Sequence, residues 1–175
     1  HKVGFNIRVD SDLFRFVVEL ATLDLMPHSV NYFMQMVKNK VWNGAVFGHQ
    51  SSHILYAELI DIDGNDKSHI IAEKNLSPNL SFPEYTNKYP HHKYTLGFTG
   101  RPGGPGFYIN TDDNSQTHGP GGQTEHALHE EADPCFGIVV EGHNVIDWMQ
   151  SRTEKALRES NLNVYTVIDS IRILE

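Results

Sequence analysis

The chain has 175 residues and carries 14 Lys and Arg against 22 Asp and Glu, a formal net charge of −8. That length suits a single domain rather than two independent cores. The acidic balance argues against a nucleic-acid binder, which needs a basic face for phosphates, and no apolar run is long enough to cross a bilayer as a helix.

The N-terminal stretch reads as a hairpin. Phe5, Ile7 and Val9 alternate with polar residues, Asp10-Ser11-Asp12 is a turn signal, and Phe14, Phe16, Val18 and Leu20 alternate again as a half-buried strand should. Pro27 stands near a helix start, and Val30, Phe33, Met34 and Val37 then recur at helical spacing through about Lys38. Short strands are predicted over 45–47, 54–60, 94–99 and 107–110, separated by polar connections of which 61–92 is the longest. Residues 100–106, Gly-Arg-Pro-Gly-Gly-Pro-Gly, form an irregular loop, and 111–131 is a second polar, Gly-rich loop. A strand over 135–140, a helix from Asn144 to about Arg158 and a strand over 165–174 close the chain. Strands outnumber helices, and the two helices stand far apart in sequence. The pattern fits an antiparallel barrel with a helix at each end better than alternating βαβ units.

The order of elements and several local strings resemble the cyclophilins, the peptidyl-prolyl isomerase family. The strings are Phe16-Val17-Val18-Glu19-Leu20, then Met26-Pro27-His28-Ser29-Val30-Asn31-Tyr32-Phe33, Gly106-Phe107-Tyr108-Ile109, and Cys135-Phe136-Gly137-Ile138-Val139-Val140-Glu141-Gly142 with Val145-Ile146. They fall in order at compatible spacing across residues 3–174. The resemblance implies a mostly β fold, an eight-stranded antiparallel barrel capped by two α-helices, within a single domain spanning 1–175.

It also implies a groove, and there the sequence departs from the family. The family's "FHRxxPxFMxQGG" matches Phe47 to Leu59, so its Arg falls on His49, its Phe-Met pair on Ile54 and Leu55, and its Gln on Ala57. The "ANA" segment falls on Thr99-Gly100-Arg101, the Gln before the paired Phe residues on Gly106, the second Phe on Tyr108, the groove-end His on Asp133 and the Trp near Leu128. Phe47, Ile54, Leu55, Ala57, Thr99, Gly100, Tyr108 and Asp133 are therefore the expected peptide-binding residues, and His49 and Arg101 the candidate catalytic cations.

Rotation about an Xaa-Pro bond faces a barrier of about 18–20 kcal/mol set by amide resonance. In the family the Arg donates hydrogen bonds that favour a pyramidal prolyl nitrogen, while an apolar pocket holds the ring. His49 is shorter and lacks the guanidinium fork. Losing one such donor costs on the order of 3 kcal/mol, a fall in rate of about a hundredfold. Isomerase activity is thus expected to be weak or absent, with binding of peptide or proline-containing segments retained. The alternative is an active isomerase in which His49 or Arg101 replaces the Arg; the plainer reading of Arg101 is a solvated loop residue. Cyclosporin, which contacts the same groove in the family, is expected to bind weakly or not at all.

No cofactor is implied. His126 and His129, one helical turn apart, are weak metal-ligand candidates, but the His-Glu-x-x-His order of metalloproteases is absent. His53 lies four residues from His49 in what the resemblance makes a turn and strand, and His91-His92 stands alone in a loop. The glycine-rich loop lacks the Gly-Lys-Ser/Thr ending of a phosphate loop and reads as a strand connection beside the groove. One cysteine, Cys135, excludes an internal disulfide framework and reads as a small buried hydrophobe. The chain is expected to act as a monomer. Its compartment is left open: Asn75-Leu76-Ser77 and Asn79-Leu80-Ser81 fit the N-glycosylation pattern, and with His1 in place of Met they allow a secretory or luminal setting.

Overall fold

The computed structural model describes residues 1–48, 51–122, 131–161 and 164–174. Strands β1 (Lys2–Val9) and β2 (Asp12–Leu20) form the expected hairpin, in register from Lys2 opposite Glu19 to Val9 opposite Asp12. The two-residue turn between them holds Asp10 at φ +53°, a left-handed conformation that a short polar side chain tolerates. Helix α1 (Pro27–Lys38) follows, with Pro27 in its first turn, and buries Val30, Phe33, Met34 and Val37 on one face.

Six further strands complete the barrel: β3 (Val46–Gly48), β4 (Ile54–Glu58), β5 (Thr95–Phe98), β6 (Phe107–Asn110), β7 (Cys135–Glu141) and β8 (Tyr165–Leu174). Each pairs antiparallel with a neighbour on both sides, in the closed order β1-β2-β7-β5-β6-β4-β3-β8. Register shifts between Asn6 and Ile7, Val17 and Val18, and Leu96 and Gly97 mark irregularities of the kind that bend a sheet toward closure. Helix α3 (His143–Arg158) packs Val145, Ile146, Met149 and Ala156 inward, and its Trp148 ring lies 4.5 Å from that of Phe14 on β2. Among the described residues, the element that the sequence reading lacks is α2 (His69–Glu73), a short helix inside the long connection.

The interior is aromatic. Phe33 of α1 meets Phe107 and Phe136 at 5.4 Å each, Phe5 stacks on Phe16 at 4.5 Å, and Trp42 stands edge-on to Phe107 at 4.7 Å. Such packing fixes the barrel's strands to within a rotamer and leaves polar chemistry to its outer face.

Residue 26, which precedes α1, is a methionine and cannot cap the helix. Glu84 takes over from the distant loop, accepting from the backbone N–H groups of His28 at 3.2 Å and Ser29 at 2.7 Å. It satisfies two orphan donors and sets a carboxylate at the positive end of the helix. Glu84→Ala is expected to lower stability by about 1 kcal/mol, as the loss of an ordinary cap does. Urea unfolding of the two proteins side by side measures this, and Glu84→Gln should recover only part of the loss.

Candidate functional site

In β4 burial alternates residue by residue, and the pairing with β6 sets which face is which. Leu55 lies opposite Ile109 and Ala57 opposite Phe107, and all four are fully buried in the core. Ile54, Tyr56 and Glu58 therefore share the outer face, with Tyr56 directly opposite Tyr108. This corrects the expectation for Leu55 and Ala57, and Phe47 likewise points inward, with its ring edge-on to Phe107 at 5.8 Å. The strand has a period of two, so matching its string one residue out of phase exchanges the core and groove faces. Of the residues expected from β4, only Ile54 stays on the outer face, joined by Tyr56 and Glu58.

Tyr108 is on that side of the sheet but offers no open surface: it is fully buried. Its hydroxyl lies 3.2 Å from Nδ1 of His91 and 3.2 Å from Oδ2 of Asp133. Nε2 of His91 lies 3.0 Å from the Asp133 carbonyl, which can only accept, so the neutral imidazole carries its proton on Nε2. Nδ1 is then an acceptor, and the single Tyr108 proton is shared between it and the Asp133 carboxylate. Burial pushes the His91 pKa down to about 4, against the opposing pull of the Asp133 carbonyl. Burial, aided by the nearby Asp133 charge, raises the Tyr108 phenol well above its ordinary value.

Asp133 is the centre of this cluster. Oδ1 accepts from Nε of Arg101 at 2.9 Å, and Oδ2 accepts from Nδ1 of His118 at 2.8 Å. Burial raises its carboxyl, but the hydrogen bonds from His118 and Arg101 outweigh that and hold it below the usual carboxylate range. Arg101 is no solvated loop residue, which overturns the plainer reading of it: its side chain is 0% exposed. Nη1 donates to the Glu131 carbonyl at 2.6 Å, and Nη2 to the carbonyls of His118 and Gly119 at 3.2 and 3.3 Å. Every guanidinium nitrogen is engaged, so this cation fastens residues 118–119, 131 and 133 to the 100–106 loop instead of standing free.

Beside the cluster, Tyr56 lies over Gly106. A Cβ there would stand 2.5 Å from the Tyr56 hydroxyl and 2.8 Å from Thr99 Oγ1, so only glycine leaves room for the ring. Thr99 Oγ1 donates to the Gly106 carbonyl at 3.0 Å, and Gly100 is exposed at φ +92°. The glycine-rich loop is thus a tight strand connection next to the outer face, as its composition suggested. At Pro105 of this loop a hollow of about 430 Å³ is walled by Ser68, Ile71, Ala72, Leu76, Pro78 and Pro105, a largely apolar lining.

His49, His126, Leu128 and His129 lie outside the described residues. Among the described residues no three His, Cys, Asp or Glu side chains gather as metal ligands. Cys135 is buried and its thiol is pushed up to about 12, the behaviour of an inert core residue. The residues missed by sequence were His91, His118 and Tyr56. His91 has the sequence surroundings of a loop residue and is fully buried. The only available signal for Tyr56 was the alternation of β4 itself.

A family model described as cyclophilin type peptidyl-prolyl cis-trans isomerase matches residues 5–173. No curated protein matches the sequence. Among solved structures, a cyclophilin type peptidyl-prolyl cis-trans isomerase of Cryptosporidium parvum, determined in the presence of the dipeptide Ala-Pro, superposes with TM-score 0.68 at 10% identity. It covers 100% of this chain and 99% of that one. A second structure of the C. parvum protein gives 0.65 at 11% identity, again over 100% and 99%. A cyclophilin from Hirschia baltica gives 0.53 at 11% identity, over 98% of this chain and 73% of that one. Identities this low speak for the fold alone.

Proposed function

The chain belongs to the cyclophilin-type peptidyl-prolyl isomerases, and from that premise we propose that it is a peptide-binding member whose isomerase activity is weak or absent. The observation that carries this reading is the burial of Tyr108, at the position where the resemblance puts the second Phe of the groove. An apolar pocket for a prolyl ring needs open carbon surface there; here the ring is covered and its hydroxyl is tied to His91 and Asp133. Catalysis also needs a donor aimed at the twisting nitrogen. The guanidinium of Arg101 is spent on Asp133 and three backbone carbonyls.

Binding has better support. The apolar hollow of Ile71, Ala72, Leu76, Pro78 and Pro105 includes the neighbour in sequence of Gly106, against which Tyr56 packs, and it is wide enough for one proline-sized or branched side chain. A short Ala-Pro segment, the kind of ligand present with the C. parvum relative, would lay its apolar side chain there and its backbone along Tyr56 and Thr99. On the same reading cyclosporin binds weakly or not at all.

Exchange NMR on an Ala-Pro-Phe peptide tests both halves. The expected result is a cis/trans exchange rate at least about a hundredfold below that given by a cyclophilin retaining the groove Arg, with saturable shifts of the amides of Ile71, Leu76 and Gly106. Exchange as fast as that of the Arg-bearing enzyme would overturn the catalytic half. Absence of peptide-induced shifts at those amides would overturn the binding half.

A further inference from the structure

The side of the barrel opposite the β5–β6 connection, which carries Pro105, has a different surface. Two strands intervene on either hand between the β5–β6 seam and the β8–β1 seam. At the latter, two hollows adjoin. One, of about 350 Å³, lies between the end of α1 and β8, with Lys38, Lys40 and Arg172 around it and the apolar side chains of Val37, Ile171 and Ile173 inside. The other, of about 180 Å³, opens where Gly4 has no side chain and is flanked by Arg15 and Arg172. Gly4 and Arg172 are register partners across β1 and β8, so the Arg172 side chain is the divide between the hollows.

Neither hollow is lined by an acidic residue. Among the described residues, none of Lys38, Lys40, Arg15 and Arg172 has a carboxylate within ion-pair distance, whereas Arg8 and Lys93 elsewhere each have one. In a chain of net charge −8 this is a local inversion of sign. Clustered unpaired cations beside low-dielectric walls raise a positive potential that reaches about a Debye length, roughly 8–10 Å, into solvent.

We propose that this trough docks an extended acidic segment of a partner protein, its carboxylates on Lys38, Lys40, Arg172 and Arg15 and its apolar side chains between them on Val37 and Ile171. Alternation of acidic and apolar residues suits an extended segment, whose successive side chains point to opposite sides. A short segment meets only the local potential. A nucleic acid or an anionic membrane would bring extended negative charge against a chain of net charge −8, which opposes both. Because the trough lies across the barrel from the apolar hollow at Pro105, the two surfaces can be occupied together.

The test titrates the isotope-labelled chain with a seven-residue peptide alternating Asp or Glu with Leu or Val, blocked at both ends. The expected result is saturable shifts at the amides of Gly4, Lys38, Lys40 and Arg172, with those of Ile71 and Gly106 unmoved. Affinity should fall about tenfold in Lys38→Glu/Arg172→Glu, and by a similar factor between about 0.05 and 0.5 M salt. Lys38→Gln/Arg172→Gln should lie between the two, and both variants alter exposed side chains. The proposal is overturned if the peptide gives no saturable shifts, or if its Asn/Gln analogue binds equally well. It is equally overturned if only phosphatidylserine vesicles or an RNA homopolymer show the variant-sensitive binding. These amides are distinct from those that report the proline-containing peptide, so either reading can fail without the other.

Discussion

Arg101→Ala is expected to lower the stability of this protein by about 3–5 kcal/mol, the range for removing one partner of a buried ion pair. The cost is not the lost attraction alone. Asp133 would keep its charge at a site almost closed to water, with only His118 and Tyr108 left to satisfy it. The carbonyls of His118, Gly119 and Glu131 would each lose a charged donor, and with it their fastening to residues 100–106. Guanidinium-chloride unfolding gives the number. Arg101→Ala combined with Asp133→Asn should cost clearly less than the two single changes added together, because the orphaned charge is removed with its partner. Arg101→Lys should recover little, since an ammonium cannot reach the same acceptors in three directions. A loss below about 1 kcal/mol for Arg101→Ala would show instead a solvated side chain of little consequence.

The second large effect is a loss of stability in mild acid. His91 takes up a proton near its ordinary value of 6.5 when the chain is unfolded, but only at about 4 when folded. Between those values the unfolded chain binds more protons, so the folded state loses ground as the pH falls. The difference amounts to about 3 kcal/mol across that window, and none of it is lost above it. Asp133 acts in the same direction further down. Its carboxyl is held below the ordinary range, so its contribution is present above the unfolded value and disappears as the pH falls through the folded one. Unfolding free energies measured at half-unit steps from pH 7 to pH 4 should trace this slope. His91→Gln, which keeps one donor and one acceptor for the Asp133 carbonyl and the Tyr108 hydroxyl, should be nearly flat over the upper part of the window.

The barrel was legible because its signals are local. The alternation of Phe14, Phe16, Val18 and Leu20 marks β2, the spacing of Val30, Phe33 and Val37 marks α1, and neither depends on distant partners. Five residues of α2 in a polar stretch are too few to show a period. The candidate site was legible only in outline. The strings around Ile54 and Thr99-Gly100 could be matched from sequence, but the phase of β4 is decided by pairing with β6, and a string match cannot sense which face a residue takes. The burial of Arg101 depends on Asp133, 32 residues away, and on carbonyls of a loop whose course no local pattern encodes. His91 is a loop residue by every local criterion, and only the fold brings Tyr108 and Asp133 to it.

Closure of the barrel has a further consequence for recognition. Each of the eight strands has its main-chain groups taken by neighbours on both flanks, so the sheet has no free margin on which a visiting chain could lie down as a ninth strand. Proteins that capture peptides by extending a sheet read the visitor's amides and care little for its composition. Here the visitor's amides must find loop groups or stay with water, and discrimination falls to the order and character of its side chains. A scrambled peptide of the same composition should therefore be told apart from its parent.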